Sequence, residues 1–407
     1  MKVLMCHAYY QVRGGEDESF DAQVALLTSR GDEVVPFTVH NDLANGMNLL
    51  SLAGRTIWNR QSYAQMRELI RRERPDVMHC TSSFPLLSPS VLYAARDEGV
   101  PVLQALHNFR LMCANAFLSR DGQVCEACLH TTLPWPAVVH GCYHDSRLGS
   151  AVVAATQVVH RAVGTWRHAA NLFMTPSEFA RGKFIDSGIP AERIVVKPNF
   201  LLTDPGIGDG RGGYAVFVGR LSREKGLPTL IDAWARVTSD LRLKIIGDGP
   251  DHELVAKAAA ADRRIEVLGR MTHAGTLATI GGAACLVMPS VFYETFGRVA
   301  MEAFAVGTPT VASRLGAMSE LVDDGRTGAL FEAGNAAALA AAVDHVVASP
   351  ERLARMRMAA RREFLDKYTD ERNYPALMSA YKRAIELAAS ADRGAPARRV
   401  ALPGQRS

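Results

Sequence analysis

The sequence predicts an α/β protein of two doubly wound parallel-sheet, Rossmann-like domains that face a cleft. Three observations carry this expectation. Short apolar runs suited to buried strands alternate with helical patterns along most of the chain. LLTDPGIGDGRGG, residues 201–213, is dense in Gly, Pro and Asp and separates two such series. The chain's 407 residues exceed one ordinary core and suit two domains of about 200 residues each.

The first series opens with KVLMCHA, a short buried-strand run. The glycines of QVRGGEDES then make a turn, and FDAQVALLTSRG is a helical pattern closed by glycine. The alternation continues through DEVVPFTV, the helix SYAQMRELIRRERP, the strand DVMHC, the helix SPSVLYAARDEG and the strand VPVLQALH. Strands separated by helices pair in parallel through right-handed crossovers. Residues 109–148, rich in Cys, His, Pro and Trp, break the pattern and read as an insertion. Alternation resumes with the helical SAVVAATQVVHRAVGTWRHAA, then NLFMTPS, EFARGKFIDSG and RIVVKPN, which completes a first domain over residues 1–200.

The second domain, residues 201–371, runs through YAVFVGR, the helix LPTLIDAWARV, LRLKIIG, the helix DHELVAKAAAA, RIEVLGR and CLVMPS. A helix Arg298–Ala305, PTVAS, GALFE and the helix ERLARMRMAARREFLDKY follow. A last helix over about 372–389 is expected to pack back on the first domain. From Ser390 the sequence is Ala, Arg, Pro and Gly without periodicity, so 390–407 is expected to be a disordered tail.

A formal net charge of +4 with 22% charged residues, dispersed along the chain, gives no footprint for nucleic acid. MKVLMCHAYY lacks a signal-peptide pattern, and no run approaches eighteen apolar residues, so a cytoplasmic location is expected. Seven cysteines in such a chain point to reduced thiols or metal ligands before disulfides.

SVFYETFGRVAMEAFAVGTPTVAS, residues 290–313, keeps Glu294 and Glu302 inside an apolar stretch. On one continuous helix eight steps would leave them roughly 80° apart. Gly297 breaks the run, placing Glu294 in the loop after a strand and Glu302 in the first turns of the next helix. Both carboxylates then address the space above a strand end. In YAVFVGRLSREKGLPTL, Arg220 ends a strand and Lys225 precedes a helix, with Gly219 and Gly226 admitting close backbone approach. Two cations beside free helix N–H groups suit a diphosphate, and carboxylates can grip sugar diols. Together they describe a nucleotide-sugar pocket.

GRLSREKG, IIGDGP and the E-x7-E block ETFGRVAMEAFAVGTPTVAS closely resemble glycosyltransferase family 4, retaining enzymes of the two-domain GT-B fold. The resemblance covers nearly the whole chain. It implies that Glu302 binds the donor ribose, that Glu294 and the backbone of Thr295, Phe296 and Gly297 lie near the donor sugar, and that Arg220 and Lys225 hold the diphosphate. Gly14 and Gly15 look like the family's glycine loop facing the donor phosphate and acceptor. Gly247 and Arg270 match positions lining the base, and His107 looks like the active-site histidine. Asn108 stands where Asp is frequent. The implied donor is a UDP- or GDP-linked hexose and the acceptor a glycan or lipid-linked glycan, transferred with retention in bacterial polysaccharide synthesis. No catalytic metal is required, and peripheral contact at the inner face of the membrane follows by analogy. Rival readings are a sugar-nucleotide epimerase or phosphorylase of the same architecture, and a non-catalytic binding protein.

The insertion spaces Cys113, Cys125, Cys128 and Cys142 as C-x11-C-x2-C-x13-C. Four such thiolates can close a structural zinc site, with His130, His140 or His144 able to replace one; plain reduced thiols are the other main reading. Similar inserts occur in a subset of the family. Phe117, Trp135 and Pro136 could meet a lipid-linked acceptor or pack against the domain. Cys6, Cys80 and Cys285 read as core.

Overall fold

Each half of the chain forms a six-stranded, wholly parallel sheet in the computed structural model, which describes residues 1–394. In the first, the strands follow the order Glu33–His40, Lys2–Tyr9, Val77–Ser82, Val102–Ala105, Leu172–Thr175, Ile194–Val196. In the second the order is Ile265–Gly269, Arg242–Ile246, Tyr214–Val218, Cys285–Met288, Thr310–Ser313, Gly328–Phe331. That is the 3-2-1-4-5-6 order of a doubly wound dinucleotide-binding sheet, with its switch point between Tyr214–Val218 and Cys285–Met288.

Burial explains the sequence pattern. Val77–Ser82 is buried throughout, as a central strand covered on both faces by helices requires. Glu33–His40 lies on the edge, is half exposed, and there tolerates Pro36, which has no N–H for a further ladder. One face of the first sheet is covered by the C-terminal helix Asp370–Gly394: Leu377 and Tyr381 pack on Val3, Met5, Leu103 and Leu172. Tyr381 also places its hydroxyl 2.8 Å from His79 Nδ1.

Three helices of nine residues or more go beyond the elements expected from the sequence, Leu49–Ile57, His273–Gly282 and Ala336–Val347, as do the shorter Trp135–Val139 and Met318–Leu321. The long helix expected after the insertion is Arg147–Ala162, then breaks at Gly164, whose φ of +68° leaves the helical region, before the short Thr165–His168. The last helix runs to Gly394, past the expected tail boundary at Ser390. Residues 395–407 of that tail lie outside the described residues.

The insertion carries a two-stranded antiparallel ribbon, Ser119–Arg120 with Gln123–Val124, and the short helix Trp135–Val139. Phe109, Met112, Leu118 and Leu129 anchor it in the main core of the first half. Among the described residues no helix is long and apolar enough to cross a membrane.

Candidate active site

The carboxyl ends of the two sheets face each other across one cavity of ≈ 1710 Å³ lined from both halves. Arg220, Lys225, Gly247, Arg270, Glu294, Thr295, Phe296 and Gly297 line it from the second half, and Gly14, Gly15 and His107 from the first. Of the residues expected at the donor or the reaction centre, Glu302 alone does not reach it.

On the second-half side the site sits at the topological switch point, where diverging crossovers leave a crevice. Lys225 Nζ is 2.6 Å from Glu294 Oε1, and Ser290 Oγ donates to the same oxygen at 2.9 Å. Arg220 is exposed and has no ion-pair partner among the described residues, a free cation beside that pair. Arg270 Nε lies 3.5 Å from Asp248 Oδ2. Two glycines are dictated sterically. A Cβ on Gly247 would stand 1.9 Å from Gly219 O, and Gly297, at φ +84°, caps the Arg298–Ala305 helix where a Cβ would meet Met318 Cε at 2.2 Å.

Glu302 lies on the second turn of that helix, 7% exposed. Its Oε1 is 3.4 Å from His273 Nε2 and 3.8 Å from Arg298 Nη2. Donation of a hydrogen bond to Glu302 raises the His273 pKa above its ordinary value. The eight-residue spacing therefore separates the two acids: Glu294 lines the cleft, and Glu302 meets His273 and Arg298, of which Arg298 lines it.

The first-half side carries a polar floor. His107 follows the Val102–Ala105 strand; its backbone oxygen accepts from Thr295 Oγ1 at 2.8 Å, a bond between the two halves. Its Nε2 has no hydrogen-bond partner. Burial, reinforced by Lys197 and Arg298, holds its pKa down to about 3, so the ring is neutral at physiological pH. Beside it, Glu16 Oε2 accepts from Tyr10 Oη at 2.6 Å and from Asn108 Nδ2 at 2.9 Å. Burial pushes the Glu16 carboxyl above its ordinary value, against the opposing effect of the Tyr10 hydrogen bond.

Glu16, Tyr10 and Asn108 all line the cavity. Glu16 is not among the residues expected here; its place in the first turn after Gly14–Gly15 is the signal the sequence offers. Gly14 itself is extended, and a Cβ there would meet nothing within 4 Å, so openness rather than a special turn is what it provides. Gly15 lies against Arg298, whose Cδ would be 3.2 Å from a Cβ. Arg298 Nη1 also donates to Ser19 Oγ at 3.1 Å, a second bond across the cleft.

The four insertion cysteines carry free thiols that influence one another. Burial and then Cys113, Cys128 and Cys125 push the Cys142 thiol up to about 11. Cys113 Sγ is spent on Asn115 Oδ1 at 2.9 Å. The zinc expectation gains no support from this arrangement: among the described residues no group of three or more His, Cys, Asp or Glu is placed to hold a metal ion.

Two facing Rossmann-like domains with a cation and carboxylate cleft between them define the GT-B architecture. Residues 12–199 match the family model described as "Glycosyl transferase 4-like domain" and residues 212–349 the model "Glycosyl transferases group 1". The chain belongs to the glycosyltransferases of the GT-B fold.

A phosphatidyl-myo-inositol mannosyltransferase of Mycobacterium leprae is 38% identical over 136 residues, 32% of this chain and 36% of the relative. An alpha-D-kanosaminyltransferase of Streptomyces kanamyceticus is 28% identical over 68% of this chain and 69% of its own length. The first curated relatives are thus matched over little more than a third of their length. Among solved structures, Anabaena Alr3699/HepE in complex with UDP has a TM-score of 0.65 at 18% identity, covering 96% of this chain and all of the other. Sucrose-phosphate synthase of Thermosynechococcus elongatus has a TM-score of 0.70 at 16% identity, covering 95% and 99%. At these identities the structures establish the fold.

Proposed function

We propose that this chain transfers a hexosyl unit from a nucleoside diphosphate sugar to a glycan acceptor, with retention at the anomeric carbon, as in glycosyltransferase family 4. The observation that carries the reading is the gathering of Arg220, Lys225 and Glu294 at the switch point of the second sheet, opposite His107 and Glu16 across one cavity. The cations neutralise the leaving diphosphate, an interaction that strengthens as charge develops on it. His107 Nε2, neutral and unpartnered, offers a hydrogen bond to a donor-sugar hydroxyl. Gly247 brings backbone close to the nucleoside side, next to Arg270.

No side chain in the floor is placed as a free nucleophile, since Glu16 is held by two donors. The resemblance to family 4 implies same-face attack, in which the acceptor oxygen bonds to the anomeric carbon as the bond to the diphosphate breaks. The acceptor proton passes to the departing phosphate oxygen. The mannosyltransferase and kanosaminyltransferase relatives favour transfer over epimerisation, phosphorolysis or simple binding.

Incubation with UDP-glucose, UDP-N-acetylglucosamine and GDP-mannose, scored for released UDP or GDP, tests the reading. One donor should be consumed by the wild type, and Lys225→Met of unchanged melting temperature should lose at least about tenfold in rate. A protein that neither binds nor turns over any nucleotide sugar would refute it.

A further inference from the structure

The cavity exceeds the roughly 300–1,000 Å³ of an ordinary small-molecule site, and its first-half wall has a chemistry that a nucleotide sugar does not explain. The Leu49–Ile57 helix packs on the Arg147–Ala162 helix. Leu49, Leu52, Ala53 and Ile57 recur at the spacing of a stripe that a helix normally turns to a core. Here all four line the cavity. Leu49 is 72% exposed, Leu50 87%, and Leu148 on the second helix 73%. Neither helix puts a charged side chain into the lining. Apolar surface concentrated in this way marks a contact with another molecule.

The wall ends at a cation. Arg110 lines the same cavity, its guanidinium stacked 4.6 Å from the Phe84 ring centre and 5.2 Å from that of Tyr143. It has no carboxylate partner among the described residues. Its backbone N donates to Asn108 Oδ1 at 2.9 Å, which ties it to the floor at Glu16. On its other side Arg110 is joined to the wall through Tyr143, whose backbone N donates to Ser150 Oγ on the second helix at 2.9 Å.

We propose that the acceptor is an anionic amphiphile: its hydroxyl-bearing end sits at Glu16 and Asn108, a phosphate at Arg110, and an apolar chain along the Leu49 and Leu148 wall. Continuity of the wall with the donor cleft and the unpaired charge of Arg110 select this occupant. The assignment as acceptor rests on the transferase reading; the amphiphile site itself stands on the wall and the cation.

Calorimetry on the full chain with farnesyl phosphate, farnesol, inorganic phosphate and phosphatidylglycerol vesicles tests it. Farnesyl phosphate should bind more tightly than farnesol or phosphate. Leu50→Glu and Leu148→Glu, both at exposed positions, should each weaken it about tenfold or more, and Arg110→Gln should reduce it to the level of farnesol. UDP or GDP binding in the same samples reports a folded second half. Equal affinity in wild type and Leu50→Glu would overturn the proposal, as would Leu50-dependent binding to vesicles with none to free farnesyl phosphate, which would make the wall a membrane contact. Farnesyl phosphate binding in a protein that takes no nucleotide sugar would sink the transferase reading and leave the amphiphile site intact.

Discussion

Lys225 Nζ and Glu294 Oε1 stand 2.6 Å apart, so the cation expected at a donor diphosphate is already paired with the carboxylate expected at the donor sugar. Side-chain exposures of 25% and 12% keep both reachable from the cleft. A diphosphate arriving there competes with Glu294 for Lys225. Glu294→Gln should therefore bind free UDP or GDP a few-fold more tightly while transfer falls by about 100-fold, because the freed cation is no longer matched to sugar chemistry. Isothermal titration and product assay on one preparation separate the two effects. Weaker nucleotide binding in Glu294→Gln would show that the pair is not in competition with the donor.

His107 supplies the second prediction. With its pKa held near 3 by burial, the ring does not titrate across the working range, and no limb of the rate–pH profile between pH 5 and 8 belongs to it. His107→Asn should lower kcat about 10- to 100-fold, the range for a hydrogen bond lost in the transition state, with the profile's shape unchanged. Loss of a limb near neutrality in the variant would show that the imidazole is charged during turnover.

Glu16 lies on the acceptor side of the floor, and its role is read from KM and pH together. Because burial raises its pKa above 4.5, the acid limb of activity should lie above the ordinary glutamate value. Glu16→Gln keeps the hydrogen bond to Asn108 and should raise the acceptor KM about 10-fold, leave UDP or GDP affinity unchanged and remove that limb. A variant with the wild-type acceptor KM would reduce Glu16 to a structural partner of Tyr10.

The sequence made one layer of this site legible and hid another. Strand and helix alternation is written in local periodicity, and the Arg220, Lys225 and Glu294 group could be read because each sits a fixed few residues beyond a recognisable strand. Gly297 could be read because a break between strand and helix needs it, and its φ of +84° agrees. The place of Glu302 inside the following helix could be read in the same way, but not its contact with His273, which begins a helix, His273–Gly282, whose glycines and small side chains give no apolar stripe. Glu16, Tyr10 and Asn108 lie up to 98 residues apart and meet only because Lys2–Tyr9 and Val102–Ala105, the strands they follow, run parallel on either side of Val77–Ser82 and end on one side of the sheet. Leu49–Ile57 was hidden for the opposite reason: its stripe is regular, but it faces a cavity rather than a core.

Lys197 offers a test that does not depend on any substrate. It follows the last strand of the first sheet, is 4% exposed, and donates to Asn373 Oδ1 at 2.7 Å, fastening the chain to the C-terminal helix where it leaves the first half. Burial lowers its pKa from 10.5 to about 7. Between those values the unfolded chain carries a proton that the folded chain does not, so this group makes stability rise with pH from about 7 to 10.5. Below pH 7 both states are protonated and the cost of burying the charge is complete. Lys197→Met removes the titration at the expense of one hydrogen bond, worth about 1 kcal/mol. Its melting temperature should exceed that of the wild type at pH 6.5, and the advantage should shrink or reverse by pH 9.5. A difference independent of pH across that range would mean that Lys197 titrates as an ordinary surface lysine and that its burial is relieved in solution.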